Sequence, residues 1–251
     1  NKWLKVALMA TAIATGTSIN IDAETVLYVP QDDRPVSLQY TVDTAREAGM
    51  TVLTPPQNLI SGKTYQGQAD QIMAWVEQNA GRADVMVLST DTLIYGGLVD
   101  SRKHNIPLST LQNRLKRIEG LKARNKNVRI YGFGTVMRSP RASGGGTEPA
   151  YYAEYGPTIF QIAALQDKLD SGSLTQEEAQ KLMSLQASVP VEYLQDWFDR
   201  RQKNMKINKE LIDETRSGVF DYFALGHDDT SQLSQSALEG RYLNRYSKDI
   251  S

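Results

Sequence analysis

The 251-residue chain contains no cysteine. That absence excludes disulfides, thiolate zinc sites, iron–sulfur clusters and a cysteine nucleophile together. An excess of charge is missing as well: 28 Lys and Arg face 29 Asp and Glu, for a formal net charge of −1. No overall field draws the molecule to a phosphate backbone or an anionic membrane, so nucleic acid is not an expected partner. Nor is there a G-x-x-x-x-G-K phosphate loop, an H-E-x-x-H pair or a G-x-S-x-G nucleophile elbow. "GFGTVM" begins like a dinucleotide fingerprint but lacks its third glycine, and no nucleotide cofactor is expected. Internal repeats and low-complexity tracts are lacking too. "SGGGTEP" (Ser143–Pro149) is the one flexible-looking loop.

Long apolar runs are also missing. "VALMATAIATGTSI" follows the basic "NKWLK" and leads into "NIDA", and it is too short to span a bilayer comfortably. A basic head, a short apolar core and a small residue near a cut at Ala23 predict a secretory signal peptide over residues 1–23. The alternative is an N-terminal helix packed on the domain. Export places the chain in the periplasm or outside the cell, with no stable membrane anchor once the signal is cleaved.

Residues 24–251 read as one α/β domain. "TVLYVP" (Thr25–Pro30), "MTVLTP" (Met50–Pro55), "DVMVLS" (Asp84–Ser89), "VRIYGFGTV" (Val128–Val136) and "VFDYFALG" (Val219–Gly226) are short β-branched runs. Their near-continuous apolarity predicts strands buried on both faces of a parallel sheet. Helices are expected between them. One opens at Ser37 and stops at Gly49, and another spans about Gln68 to Gln78. Ser109 with Gln112, and Thr175 with Glu178, have capping-box spacing. Leu111, Leu115, Ile118 and Leu121 recur at the helical period, and Val191 to Arg216 is one long charged segment closed by Gly218. The expected fold is therefore a mostly parallel, Rossmann-like sheet flanked by helices, with a helical insertion at about 157–217 before the last strand. A partial (β/α) barrel is the alternative. The insertion would either cap the mouth of the sheet or pack on one face.

Ligands of open α/β sheets bind beyond the carboxyl ends of the strands. The residues following each run are thus the candidates. Asp32, Asp33 and Arg34 follow the first, while Asp91, Tyr95 and Arg102 follow the third. Arg138 follows the fourth, and His227, Asp228 and Asp229 end the fifth. Any one of these aspartates is ordinarily a turn former or helix cap. Several at equivalent edges would instead raise one another's pKa values, as an acid/base pair, or attract a divalent metal ion. Asp32, Asp33, Asp91, Asp228 and Asp229 are the catalytic or metal-ligating candidates. Arg34, Tyr95, Arg102, Arg138 and His227 are the substrate-binding ones, since arginine forks hold polar and carboxylate-bearing groups.

Five blocks carry a family resemblance: "LYVPQDDRPVS", "VLSTDTLIYGGLVDSR", "YGFGTVMRSP", "EPAYYAEYG" and "ALGHDDTS". In this order they resemble the bacterial DUF4127 family of proteins of unknown function, from about Thr25 to the end. Its members are roughly twice this long, so the resemblance implies an N-terminal portion, and it implies no particular chemistry. The residues themselves suggest an exported hydrolase acting on a polar small molecule or glycan, because paired carboxylates are the usual means of glycoside hydrolysis. A metal-dependent hydrolase would use the same side chains. A non-catalytic periplasmic binding protein would need the Asp/Arg cleft for recognition alone.

Overall fold

The computed structural model describes residues 23–142, 145–229 and 231–249. The expected signal peptide lies outside these residues except for Ala23. Five strands form: β1 Thr25–Val29, β2 Thr51–Leu53, β3 Val85–Ser89, β4 Arg129–Val136 and β5 Tyr222–His227. They pair in parallel throughout, in the order β2-β1-β3-β4-β5. The sheet is open, so the partial-barrel alternative falls and the Rossmann-like expectation stands.

Each parallel step needs a crossover, and helices supply them. α1 (Gln39–Glu47) joins β1 to β2, and α2 (Ala69–Asn79) joins β2 to β3. Two short helices, α3 (Thr90–Tyr95) and α4 (Leu98–Lys103), precede the longer α5 (Leu108–Arg124). Between β4 and β5 run α6 (Tyr152–Asp170), α7 (Gln176–Ser188) and α8 (Val191–Arg216), and α9 (Gln235–Asp249) follows β5. No helix among the described residues is long and apolar enough to cross a membrane.

The main core lies on one sheet face. Leu27, Val29, Met86, Leu88 and Ile130 pack under Ile72, Met73 and Val76 of α2, the Leu111–Leu121 stripe of α5, and Ile207 and Leu211 of α8. A second core gathers Met137, just beyond β4, with Tyr152, Ile159 and Ile162 of α6, Leu182 of α7 and Trp197 of α8. The insertion therefore divides between two cores. Its last helix covers the sheet, while α6 and α7 build a separate cluster beyond the end of β4. It begins at Tyr152 rather than 157, because Pro157 is accommodated inside α6.

Two local expectations need correction. The spacing at Ser109 predicts a capping box, yet α5 starts two residues earlier, directly after Pro107, and has no side-chain cap. Pro107 has φ −58°, already helix-compatible, and its carbonyl accepts the first helical N–H groups, from Thr110 and Leu111. The Thr175–Glu178 box, by contrast, forms in both directions. Burial on both faces holds for β3 but fails at the edges. No residue of β2 is buried, and Tyr222, Ala224 and Gly226 of β5 are exposed, since an edge strand has a neighbour on one side only.

One close approach ties the fold to what it carries. A Cβ on Gly134 of β4 would stand 2.3 Å from Thr90 Oγ1, at the start of α3. That hydroxyl is bonded to the Phe133 carbonyl at 3.1 Å, so it cannot turn away without losing a partner. We expect Gly134→Ala to lower unfolding free energy by about 1–3 kcal/mol through overpacking. Denaturant unfolding checks this; an unchanged midpoint would mean that α3 moves freely on β4.

Candidate active site

β1 leads outward to β2 and β3 leads outward to β4, so the connections diverge between β1 and β3. A crevice opens at such a switch point. α3 starts directly from β3: Ser89 is its N-cap, with Oγ accepting the Thr92 N–H at 3.3 Å. This places Asp91 in the first turn of α3, directly beyond the carboxyl end of β3. Thr92 Oγ1 donates to the Pro30 carbonyl at 2.7 Å, fastening the ends of β3 and β1 together.

Asp91 is only 2% exposed. Its Oδ2 accepts from Gln31 Nε2 at 3.0 Å and from Thr135 Oγ1 at 2.8 Å, so residues after β1, at the start of α3 and in β4 meet on one oxygen. Burial pushes its pKa up to about 6, the bonds from Gln31 and Thr135 pull back, and the Asp228 charge adds to the rise.

Asp228 sits just past β5 and is met by Arg102 of α4. Arg102 Nε and Nη2 both donate to Asp228 Oδ2, at 2.9 and 2.6 Å. Burial raises the Asp228 pKa and the Arg102 charge opposes it. The same burial lowers the Arg102 pKa, opposed by Asp228 and Glu148. Glu148, itself buried, stands between two guanidinium groups. Arg138 Nε donates to its Oε1 at 2.7 Å, and Arg102 Nη1 lies 3.9 Å from the same oxygen. Arg138 also donates to Thr147 Oγ1 at 2.7 Å.

The remaining candidates divide. Buried Asp32 is forked by Arg34, with Nε at 2.8 Å and Nη2 at 2.7 Å. Arg34 stays 53% exposed at the rim, its pKa raised mainly by the Asp32 bond and further by Asp228 and Asp33. Asp33 turns outward and accepts from the Tyr65 hydroxyl. Asp229 receives the backbone N–H of Ser231, closing a turn, and that of Ser139 beyond β4, tying the two loops together. Tyr95 stacks on His104, with ring centroids 4.9 Å apart. His227 packs against Gly240 of α9, its Nδ1 lying 3.4 Å from Ser236 Oγ. The convergent set is therefore Asp91, Asp228, Arg102, Arg138 and the Asp32–Arg34 pair.

Gln31, Thr135 and Glu148 belong to this set and were not among the candidates. Gln31 directly precedes the acid pair and Thr135 lies at the end of the fourth apolar run, so position could have drawn notice to both. Glu148 gives no such signal. Among the described residues no three His, Asp or Glu side chains gather as a set that could hold a metal ion. Asp32, Asp228 and Glu148 are each engaged by arginine instead.

The Asp91 carboxyl makes stability depend on pH. Its pKa is about 6 when folded against an ordinary value of 3.8, so the folded state holds the proton more tightly. That contribution is complete below the ordinary value and is lost as pH rises through the folded one. The 2.2-unit gap (6 − 3.8) corresponds to about 3 kcal/mol lost by neutral pH. Asn cannot ionise and keeps an oxygen for Gln31 and Thr135. Asp91→Asn should match the wild type near pH 4 and exceed it by about 1–3 kcal/mol at pH 7.5. Denaturant unfolding at both pH values checks this; equal destabilisation at both would show that the ionised form carries no penalty.

A family model described as "Protein of unknown function (DUF4127)" matches residues 26–251. Neither a curated protein nor a solved structure matches the chain. With the match spanning all five strands and the whole convergent set, the chain belongs to the DUF4127 family.

Proposed function

We propose that the chain is an exported hydrolase that acts on a polar small molecule or glycan at the Asp91–Asp228 site. One observation carries this reading: two neighbouring carboxyl groups have different environments. Asp91 is buried among neutral donors and holds its proton up to about pH 6, whereas Asp228 is forked by Arg102. Carboxyl groups separated in this way supply an acid and a base. In this reading protonated Asp91 delivers a proton to the leaving group, and Asp228 activates the attacking water. Arg34, exposed at the rim, and Arg138 orient the substrate. Glycoside hydrolysis uses carboxyl pairs in these roles.

Turnover of chromogenic glycosides and of cell-wall fragments tests the proposal. We expect Asp91→Asn to lower kcat by about 100-fold or more while the folded state persists. The wild-type kcat should fall as pH rises through about 6, where Asp91 loses its proton. A chain that turns over none of these compounds, yet binds one equally well with and without Asp91→Asn, would be a binding protein instead. Export rests on the composition of residues 1–23. N-terminal sequencing of protein from the native host should find a start close to Glu24; recovery of the apolar segment in the bulk of the material would refute it.

A further inference from the structure

α4 has two faces with different surroundings. Arg102 turns to Asp228, whereas Asp100, Lys103 and the following His104 line a separate cavity of about 690 Å³. Its other walls are the loop before α2, the first turn of α2 and the start of α5. That volume lies within the range of small-molecule sites.

Formal charge cancels around this cavity. Arg114 Nη2 is bonded to Asp70 Oδ2 at 2.6 Å, while Lys103 donates to the Gly146 carbonyl at 2.9 Å and its charge acts on Asp100. Asp100 Oδ2 accepts the Gly67 N–H at 3.0 Å, and burial raises its pKa. His104 is buried, with its pKa pushed down to about 4, and is neutral at physiological pH. Both its ring nitrogens are occupied, Nε2 by Asn204 Oδ1 at 2.7 Å and Nδ1 by the Ile106 N–H at 3.3 Å. The two acids lining the cavity, Asp70 and Asp100, thus equal in number its two cations, Lys103 and Arg114.

Uncharged hydrogen-bonding groups are plentiful. The side-chain amides of Gln66, Gln68 and Gln71 stand exposed on the rim and make no hydrogen bond among the described residues. Each offers a donor and an acceptor side by side, the complement of a sugar hydroxyl, which is itself both. Tyr95 and His104, both buried and stacked on each other, back the inner wall, and the buried Tyr95 hydroxyl has no partner.

We propose that this cavity binds a neutral saccharide, on the side of α4 away from the carboxyl groups. The proposal does not depend on hydrolysis at Asp91. Saturation-transfer NMR and titration with chitotriose, cellotriose and maltotriose test it. At least one trisaccharide should bind, and the double variant Gln68→Ala with Gln71→Ala should weaken it by about tenfold, the loss of one or two hydrogen bonds. Both glutamines are exposed, so the variant is expected to fold. Asp91→Asn should bind the same sugar as the wild type does. Three outcomes would each overturn the proposal: no transfer to any of the three sugars, undiminished binding by the double variant, or binding lost in Asp91→Asn alone, which would put the sugar at the carboxyl site.

Discussion

A carboxyl group withdrawn from water must keep its proton, meet a cation or collect hydrogen bonds. Beyond the carboxyl ends of the strands the first and second solutions stand close enough to act on each other, and the rest of the site follows from that. Asp91 keeps its proton up to about pH 6 because it is buried, although its two neutral donors pull the other way. Asp228 meets a cation, Arg102, but burying that cation creates a further cost. Glu148 meets part of it, at 3.9 Å from Arg102, and Arg138 then completes the charge balance around Glu148. The sequence of compensation runs outward from one buried acid to a partly exposed arginine. Removing an inner member would leave a buried charge unpaired, which is strongly destabilising.

Much of the fold was legible in the chain because its elements carry local signals. β-branched runs become strands, the Leu111–Leu121 spacing becomes a buried stripe, and Thr175 with Glu178 becomes a formed capping box. Ser109 misleads because the same four-residue pattern follows a proline, and the rigid φ of Pro107 begins the helix first. β5 misleads in another way. Apolar composition reports what a strand could bury, not which side of the sheet it occupies, and β5 lies at the edge.

The site was legible only in its charged members. Asp91, Asp228 and Arg102 come into view because strand ends collect ligands and charges are conspicuous there. Their neutral partners are set by tertiary contact alone. Gln31 and Thr135 reach Asp91 across 60 and 44 residues of chain, and neither type of residue signals a buried acceptor. Tyr95 and His227 show the converse. Both sit within a few residues of a true member, but helical and strand geometry turn them toward His104 and α9. Proximity in sequence specifies the loop, and side-chain direction specifies the partner.

The insertion is what fixes the distances in this site. Two adjacent arginines on α8 reach to opposite walls. Arg200 Nε donates to the His104 carbonyl at 2.7 Å, just after the helix that carries Arg102. Arg201 donates to the carbonyls of Met137 at 2.6 Å and Arg138 at 2.9 Å, beyond the end of β4, where no strand ladder remains to satisfy them. Glu239 of α9 balances the Arg201 charge through two contacts of 2.7 Å, and Asp196 balances Arg200 at 2.8 Å. One helix thereby holds the segments that carry Arg102 and Arg138 in fixed relation. Glu148 can lie between the two guanidinium groups only while that relation is kept. The helices inserted before β5 are thus part of the electrostatics of the site, since they set how closely two like charges may approach the acid they share.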